Sequence, residues 1–584
     1  MKKIKKKILA IINFFLNNNK DDKFNYINEV SFGLSESNLN YLNKIPFQTL
    51  NNRINHLQFK QKIIDLIYIH YKKILNIEIS QKAFNLILSP FVYTFVDVID
   101  YKIERILKAK KNNKKILFYK TREIFYEYPE NYSELLSMLQ SDKFNLQIDS
   151  EILNFFKFKS YYFSSSINLK KIIKNIFVKK FDNKNIKQEK LIKKLKKINK
   201  IYYYKLDFRN KYAIDKIFKH KKLKKLNLSR LNISFIKKNL NLRRKMLMMF
   251  NSKNKKEKII FQLLLKYIPS LYLESIIQNL NKFISSNFLM PSYLISTPFG
   301  WWNDDFFKYF LATYIDQGGE YIDVQHNGSY FIFDNNEHFE ISKCFRKYFF
   351  GWGDYCLKYN DTFYLPPLYT IRKKRKKIFK GRKILMICAN VNRYFQGYRN
   401  SILDGGNHLS YFNNQVKFIT YLKNKVVRDL YIRARYNRKD PNNYKKFLKE
   451  KFNQIKFDNI KNNTASDRIN QNDVKIIIVD HLSTPWLEAL NSNKPTIIFY
   501  NKENDKFSRD FKKILLNYKN NKIFFDSPVK AANWLNIIYK NNIIRKKWWN
   551  SKETQDFRKV LLKNFYKSQI NSINIWSKKL LEII

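Results

Sequence analysis

The sequence predicts an α/β protein of two lobes, each a parallel sheet wrapped by helices, with a helical elaboration within the first lobe and a helical tail after the second. Three observations carry this. Strand and helix signals alternate after Pro291, and the alternation restarts after a basic stretch at 372–382. Ten of the eleven glycines (Gly300, Gly318, Gly319, Gly328, Gly351, Gly353, Gly381, Gly397, Gly405 and Gly406) cluster around that boundary. An average chain holds about 7% glycine; a chain this poor keeps it where the backbone needs positive φ or close approach.

Residues 1 to about 160 carry helical periodicity, with turn signals near Pro46 and Pro129 and a strand-like run at 115–119. The apolar stretch 84–96 contains Asn85, Ser89 and Pro90 and reads as buried core. The start, lysines at 2–7 followed by an apolar run at 8–16, has no small-residue cleavage site and is too short to span a bilayer. Ile4, Ile8, Ile11, Ile12 and Phe15 share one helical face, which suits an ordinary amphipathic helix or a membrane-surface helix. Between about 165 and 260 the chain is rich in Lys and Asn but keeps its apolar residues, so this stretch is expected to be a basic helical elaboration of the first lobe.

The first series of alternating elements then places a strand at 293–296, a helix at 303–315 closed by Gly318 and Gly319, and a strand at 321–325. The second places strands at 383–389, 429–436, 474–480, 494–500 and 522–525, with helices at 413–424 and from Pro485. Two Rossmann-like lobes follow, at 1–370 and 382–545, with a hinge at 365–382. A tail at 546–584, carrying Trp549 and Trp576, is expected to pack back across them.

A length of 584 residues, 45% hydrophobic, excludes a disordered chain. The net charge of +64 points toward acidic partners. Much of it accompanies an excess of Lys, Asn, Ile, Phe and Tyr over Gly, Pro and Ala, the signature of an A+T-rich coding sequence. Cys344, Cys356 and Cys388 have no CxxC spacing, which suggests neither a disulfide framework nor zinc and fits a reducing interior.

Ligands bind at the carboxyl edge of open α/β sheets, so strand ends supply the candidate residues. His326 follows a strand, between Gln325 and a turn bearing Gly328, and suits a general base for an acceptor hydroxyl; the alternative is a structural histidine bonded to a loop carbonyl. Glu337 and Glu340 follow closely and either orient His326 or face solvent. Trp352 sits between Gly351 and Gly353 and, with Gly353, would shape the site. In the second lobe, Pro485 suits a first helical position with Thr484 as N-cap, so Ser483 and Thr484 either cap the helix or cradle a donor phosphate on its free N–H groups. Glu488, one turn on, would reach a ribose or sugar hydroxyl. Arg433 and Arg435 alternate on one strand face, with Arg438 beyond, as phosphate ligands or as surface charge. Lys494 and Pro495 precede another strand, whose end at 500–502 is a further candidate for the same site. No Walker-type, G-x-G-x-x-G, H-E-x-x-H or D-x-D motif occurs.

The run Asp323-Val324-Gln325-His326-Asn327-Gly328-Ser329-Tyr330, followed by Glu337-His338-Phe339-Glu340-Ile341-Ser342 and Gly351-Trp352-Gly353, resembles the Q-H-G-G-x-Y and W-G patterns of transferases from bacterial surface-carbohydrate (lipopolysaccharide and capsule) biosynthesis loci, relatives of the two-lobed GT-B glycosyltransferases. The stretch 84–91 with Asp100-Tyr101-Lys102 is similar to the same family's N-terminal signature. Residues 480–488 with Asn493-Lys494-Pro495-Thr496 are similar to its S-T-x-x-L-E and N-x-P-T signature. Asn327 stands where the pattern has glycine, and Phe331 replaces another after the tyrosine.

The resemblance implies a GT-B-like fold and a transferase acting on surface polysaccharide or lipopolysaccharide precursors; the missing D-x-D argues against a metal-dependent enzyme, and no cofactor is expected. The transferase would move a sugar from a nucleotide-activated donor to a saccharide or lipid-linked acceptor, in the cytoplasm or peripherally on the inner face of an anionic membrane. His326 and Glu340 would be catalytic, Arg433, Arg435, Ser483, Thr484 and Glu488 donor-binding, and Gln325, Gly328, Trp352 and Gly353 site-shaping. The alternatives are a CDP-polyol glycerophosphotransferase, which shares the strand-end histidine turn, a basic nucleic-acid binder, for which no recognised module is visible, and a scaffold without activity.

Overall fold

The computed structural model describes residues 53–112, 118–122, 124–158, 160–162, 198–206, 223–226, 233–250, 252–285, 290–334, 336–367, 381–389, 394, 397, 408–434, 444–458, 464–500, 505, 507–568 and 571–583. The expected first helix at 4–15, the hinge segment at 368–380, Gly405, Gly406, Arg435, Arg438 and residues 501–502 lie outside these.

The N-terminal part is helical, as its periodicity predicts. Helices Arg53–Leu75 and Gln81–Asn112 pack together, and the apolar residues of 84–96 are wholly internal. The apolar window within Gln81–Leu107 is long enough to cross a bilayer, yet all of it is buried in the protein, so here it is core. Two short strands, β1 (Phe118–Lys120) and β2 (Ser160–Tyr162), pair in parallel, with β1 beside the helix Asp142–Phe155.

The first main sheet contains β3 (Ile198–Tyr204), β4 (Leu223–Lys225), β5 (Pro291–Ser296), β6 (Glu320–Val324), β7 (Tyr348–Gly351) and β8 (Thr362–Tyr364), all parallel, in the order β4-β3-β5-β6-β7-β8. Here the sequence reading needs correction. The Lys-rich stretch, expected to be helical, supplies two strands of this sheet. Its lysines hide a β-favouring run, Ile201-Tyr202-Tyr203-Tyr204, whose Ile201 is buried against β5. Strands β7 and β8 were likewise not foreseen.

The second sheet contains β9 (Lys383–Cys388), β10 (Leu430–Ala434), β11 (Lys456–Phe457), β12 (Val474–Val479), β13 (Thr496–Phe499) and β14 (Phe524–Phe525), in the order β11-β10-β9-β12-β13-β14. The strand order reverses between β9 and β12, which opens a crevice at their carboxyl ends. Strands buried on both faces read as continuous apolar runs, as in Ile476-Ile477-Ile478-Val479.

The tail joins both sheets. Helices Asn542–Asn550 and Lys552–Phe565 lie on the second, where Trp549 donates its indole N–H to the Asn493 carbonyl at 3.0 Å. Helix Ser572–Ile583 puts Trp576 into the core of the first, bonded to the Pro366 carbonyl at 2.7 Å.

One buried ion cluster ties the N-terminal helices to the first sheet's edge. The Lys60 ammonium lies 2.6 Å from Asp97 and 2.7 Å from Glu337, all three buried. Burial alone would lower its pKa; the two carboxylates more than reverse that and hold it above its ordinary value. Lys60→Met would leave two buried carboxylates facing each other. It is expected to cost about 3–5 kcal/mol, read as a lowered urea midpoint at neutral pH.

Candidate functional site

The β6 strand delivers the chain to the carboxyl edge of the first sheet. Gln325 then stitches the exit in place: its main-chain N–H donates to the Phe350 carbonyl (2.9 Å), its Oε1 accepts the Trp352 N–H (2.9 Å), and its Nε2 donates to the Asn327 carbonyl (2.8 Å). The turn bearing His326 is therefore pinned to β7 as well as β6.

The half-buried His326 ring sits with Nδ1 3.0 Å from the Tyr330 hydroxyl and Nε2 2.8 Å from the Asn327 amide nitrogen. Asn327 Oδ1 accepts the Ser329 N–H at 2.9 Å and the Ser329 hydroxyl, which turns the amide nitrogen, a donor only, toward the ring. This pattern assigns the proton to Nδ1 and the lone pair to Nε2. Asn327, standing where the family pattern has glycine, thus selects the tautomer of its neighbour. Tyr330 is fully buried, which raises its phenol pKa well above the ordinary value and keeps it protonated.

Phe331 adopts the left-handed backbone conformation, φ 64°, which favours glycine. The conformation is held by aromatic packing: its ring lies 5.0 Å from Phe339 and 5.5 Å from Tyr355, and its carbonyl accepts the Ser508 hydroxyl at 3.0 Å. Around His326, the His338 ring stands 5.1 Å away and the half-exposed Phe299 ring 4.9 Å away, both edge-on. The two acids expected to orient His326 are engaged elsewhere. Glu337 points inward to Lys60, and Glu340 holds Lys343 at 2.8 Å on its own helix, Glu337–Ser342.

A carboxylate unremarked in the sequence lies behind the turn. Asp323 is fully buried and accepts bonds from the Tyr321 hydroxyl (3.1 Å) and the Trp301 indole (3.3 Å). Its pKa is pushed up to about 6 by burial, which the nearby Arg346 only partly offsets.

In the second sheet, β12 runs into Asp480 and His481, then the helix Thr484–Asn491. The helix begins one residue earlier than expected: Ser483 is the N-cap, Thr484 the first helical residue and Pro485 the second. Ser483 makes no side-chain cap bond, so its hydroxyl is not committed to the helix. Thr484 Oγ1 instead accepts the Gly328 N–H at 3.2 Å, and the Trp486 indole donates to the Gly328 carbonyl at 3.3 Å. The histidine turn of one sheet therefore rests directly on the helix N-terminus of the other. A Cβ at Gly328 would fall 2.7 Å from Leu487 Cδ1 and 3.0 Å from Thr484 Cα. Glu488 is buried one turn along the same helix.

His481 is the functional candidate that sequence reasoning passed over, although its place after a strand at the β9/β12 reversal could have flagged it. Its Nδ1 lies 2.9 Å from Asp480 Oδ1; Asp480 Oδ2 in turn accepts the Tyr411 hydroxyl at 2.8 Å and the Gln415 amide. Among the described residues Nε2 has no hydrogen-bond partner, and the ring is 5% exposed.

Other expected donor residues lie apart. Arg433, at the carboxyl end of β10, pairs with buried Asp458 at 2.9 Å, which also binds Arg468. Strand β10 is two strands from β12, about 10 Å. Lys494 sits at the amino end of β13, bonded to the Gln471 carbonyl, on the far side of the sheet. Trp352 and Gly353 receive the tail: Lys567 donates its N–H to the Trp352 carbonyl at 2.7 Å, and a Cβ at Gly353 would lie 2.1 Å from the Asn564 carbonyl oxygen. Among the described residues no group of three His, Cys, Asp or Glu side chains is arranged to hold a metal ion.

Residues 6–580 match the family described as LIC12162 family transferase. The chain belongs to that family. No curated protein matches it. Among solved structures it is similar to S. aureus MnaA with UDP (9% identity, TM-score 0.35, covering 67% of this chain and 98% of that one). It is also similar to Acinetobacter baumannii MurG (7%, 0.34, 66% and 100%) and to a UDP-glucosyltransferase from Polygonum tinctorium (8%, 0.33, 67% and 99%). The family assignment makes the protein a transferase.

Gly328→Ala is expected to wedge the two sheets apart, costing about 1–3 kcal/mol, with a lowered melting temperature and weaker donor binding by calorimetry. For Asp323 the folded pKa of about 6 exceeds the unfolded 3.8. Its stabilising contribution is therefore complete below pH 3.8 and is lost as pH rises through 6, by roughly 3 kcal/mol. Urea midpoints should fall across that window, and Asp323→Asn should flatten the slope.

Proposed function

We propose that the protein transfers a sugar from a nucleotide-activated donor to a surface polysaccharide or lipopolysaccharide precursor. The observation that carries this reading is the Gly328 contact: it brings a histidine whose Nε2 lone pair accepts the Asn327 amide within a few residues of a helix N-terminus at the strand-order reversal of the other sheet. A transferase that activates an acceptor hydroxyl and releases a nucleoside diphosphate needs those two elements side by side.

In this reading the acceptor hydroxyl displaces the Asn327 amide from His326 Nε2 and gives it a proton. The ring stays oriented by the Tyr330 hydroxyl. The donor diphosphate lies at the β9/β12 crevice, where the N-terminal N–H groups of the Thr484–Asn491 helix and the Ser483 hydroxyl meet the charge that develops on the leaving group. Asp480 holds His481 in the tautomer that presents the Nε2 lone pair, an acceptor for a ribose or sugar hydroxyl, and Glu488 positions the ribose or sugar from one turn further along. Arg433 acts at the edge of the crevice, supporting its wall through Asp458. Glu340 lies further from the reacting atoms, its charge shared with Lys343. A lipid-linked acceptor would place the protein at the inner face of an anionic membrane.

The test is a panel of nucleotide sugars and CDP-polyols screened by thermal shift, followed by turnover assays on the stabilising donor. A nucleotide sugar should raise the melting temperature; a response confined to CDP-polyols would move the reaction to phosphoryl-polyol transfer. His326→Ala should lower turnover by at least about a hundredfold while leaving donor affinity nearly unchanged. Ser483→Ala should do the reverse, weakening the donor more than it slows the bound complex. Wild-type turnover in His326→Ala would remove the histidine from the chemistry.

A further inference from the structure

Outside the crevice, exposed apolar surface is concentrated in one place. Of the sixteen exposed large hydrophobic residues among those described, six (Phe235, Ile236, Leu240, Leu247, Met248 and Met249) fall within fifteen consecutive positions. Met248 is 81% exposed and Leu240 56%. The same segment carries Lys237, Lys238, Arg243, Arg244 and Lys245 and has no acidic residue.

The outward direction is built in. In the helix Leu240–Met248, Arg243 and Met246 face the protein and are buried. The Arg243 guanidinium pairs with Glu274 at 2.7 Å and donates to the carbonyls of Leu265 (2.9 Å) and Ile268 (3.0 Å). The N-terminus is fixed by Asn239, whose side chain caps the Leu242 N–H and whose own N–H donates to Glu274. With that face anchored, helical spacing puts Leu240, Arg244, Leu247 and Met248 on a single outward stripe, flanked by Lys245. The helix is held against the body through buried polar bonds, and its apolar stripe is left for something else.

We infer that this segment, 235–249, docks the protein on an anionic lipid surface. A convex helix crest with apolar side chains between long cationic ones matches the interface of a bilayer, where methionine and leucine enter the acyl boundary and Lys and Arg reach the headgroups. A second copy of the chain fits poorly, because it would set the same cations face to face with no carboxylate between them. The inference does not depend on which group the enzyme transfers.

Flotation of the full chain with vesicles of equal parts phosphatidylcholine and phosphatidylglycerol, against phosphatidylcholine alone, tests it. Wild type should float with the mixed vesicles. Leu247→Asp combined with Met248→Asp should reduce the bound fraction at least about tenfold, with an unchanged melting temperature. Arg244→Ala with Lys245→Ala should weaken binding to the mixed vesicles and leave the weak binding to neutral ones unaltered. Met248→Trp, which cannot unfold an 81% exposed site, should strengthen binding. Flotation unaffected by the double aspartate variant overturns the inference, as does a Met248→Trp variant that binds no better than wild type. Sedimentation showing a wild-type dimer that this double variant abolishes, without vesicle binding by either, would assign the face to self-association and overturn it as well.

Discussion

The absence of a side chain at Gly328 is the constraint on which the working architecture depends. Its N–H reaches Thr484 and its carbonyl receives the Trp486 indole, so one residue's backbone bonds both to the first turn of a helix from the other sheet. The approach leaves no room for a methyl group. His326 lies two residues before this contact and Ser483 one residue from it, so the two candidate groups are brought near each other by the Gly328 backbone and the side chains of Thr484 and Trp486.

A second clamp acts from the opposite direction. The tail helices lie on the second sheet, pass over Gly353 at backbone contact, and end with Trp576 inside the first. Trp352 belongs to both arrangements: its N–H is held by Gln325 beneath the histidine turn, and its carbonyl holds Lys567 of the tail.

Two departures from the family pattern, Asn327 and Phe331, change the turn chemically without breaking it. Asn327 adds an amide that selects the His326 tautomer, and Phe331 keeps a left-handed backbone through the packing of its ring. A non-glycine residue in that conformation costs about 1–2 kcal/mol. Burial of an aromatic side chain offsets a cost of that size.

Periodicity and strand-end logic were enough to read the alternating layout and the two sheets, and to put His326 and the Ser483-Thr484 turn at strand ends, because these depend on local pattern along the chain. The same reasoning missed β3, whose tyrosines lie in a lysine-rich stretch, and His481, whose value comes from lying at a strand-order reversal between segments far apart in sequence. It left Glu340 open between orienting His326 and facing solvent, and the structure pairs that carboxylate with Lys343. By itself the sequence determined which residue types stand at which strand ends. Only the tertiary structure decided which of them meet, since contact between residues 328 and 484 depends on how two sheets pack, and no local propensity encodes that.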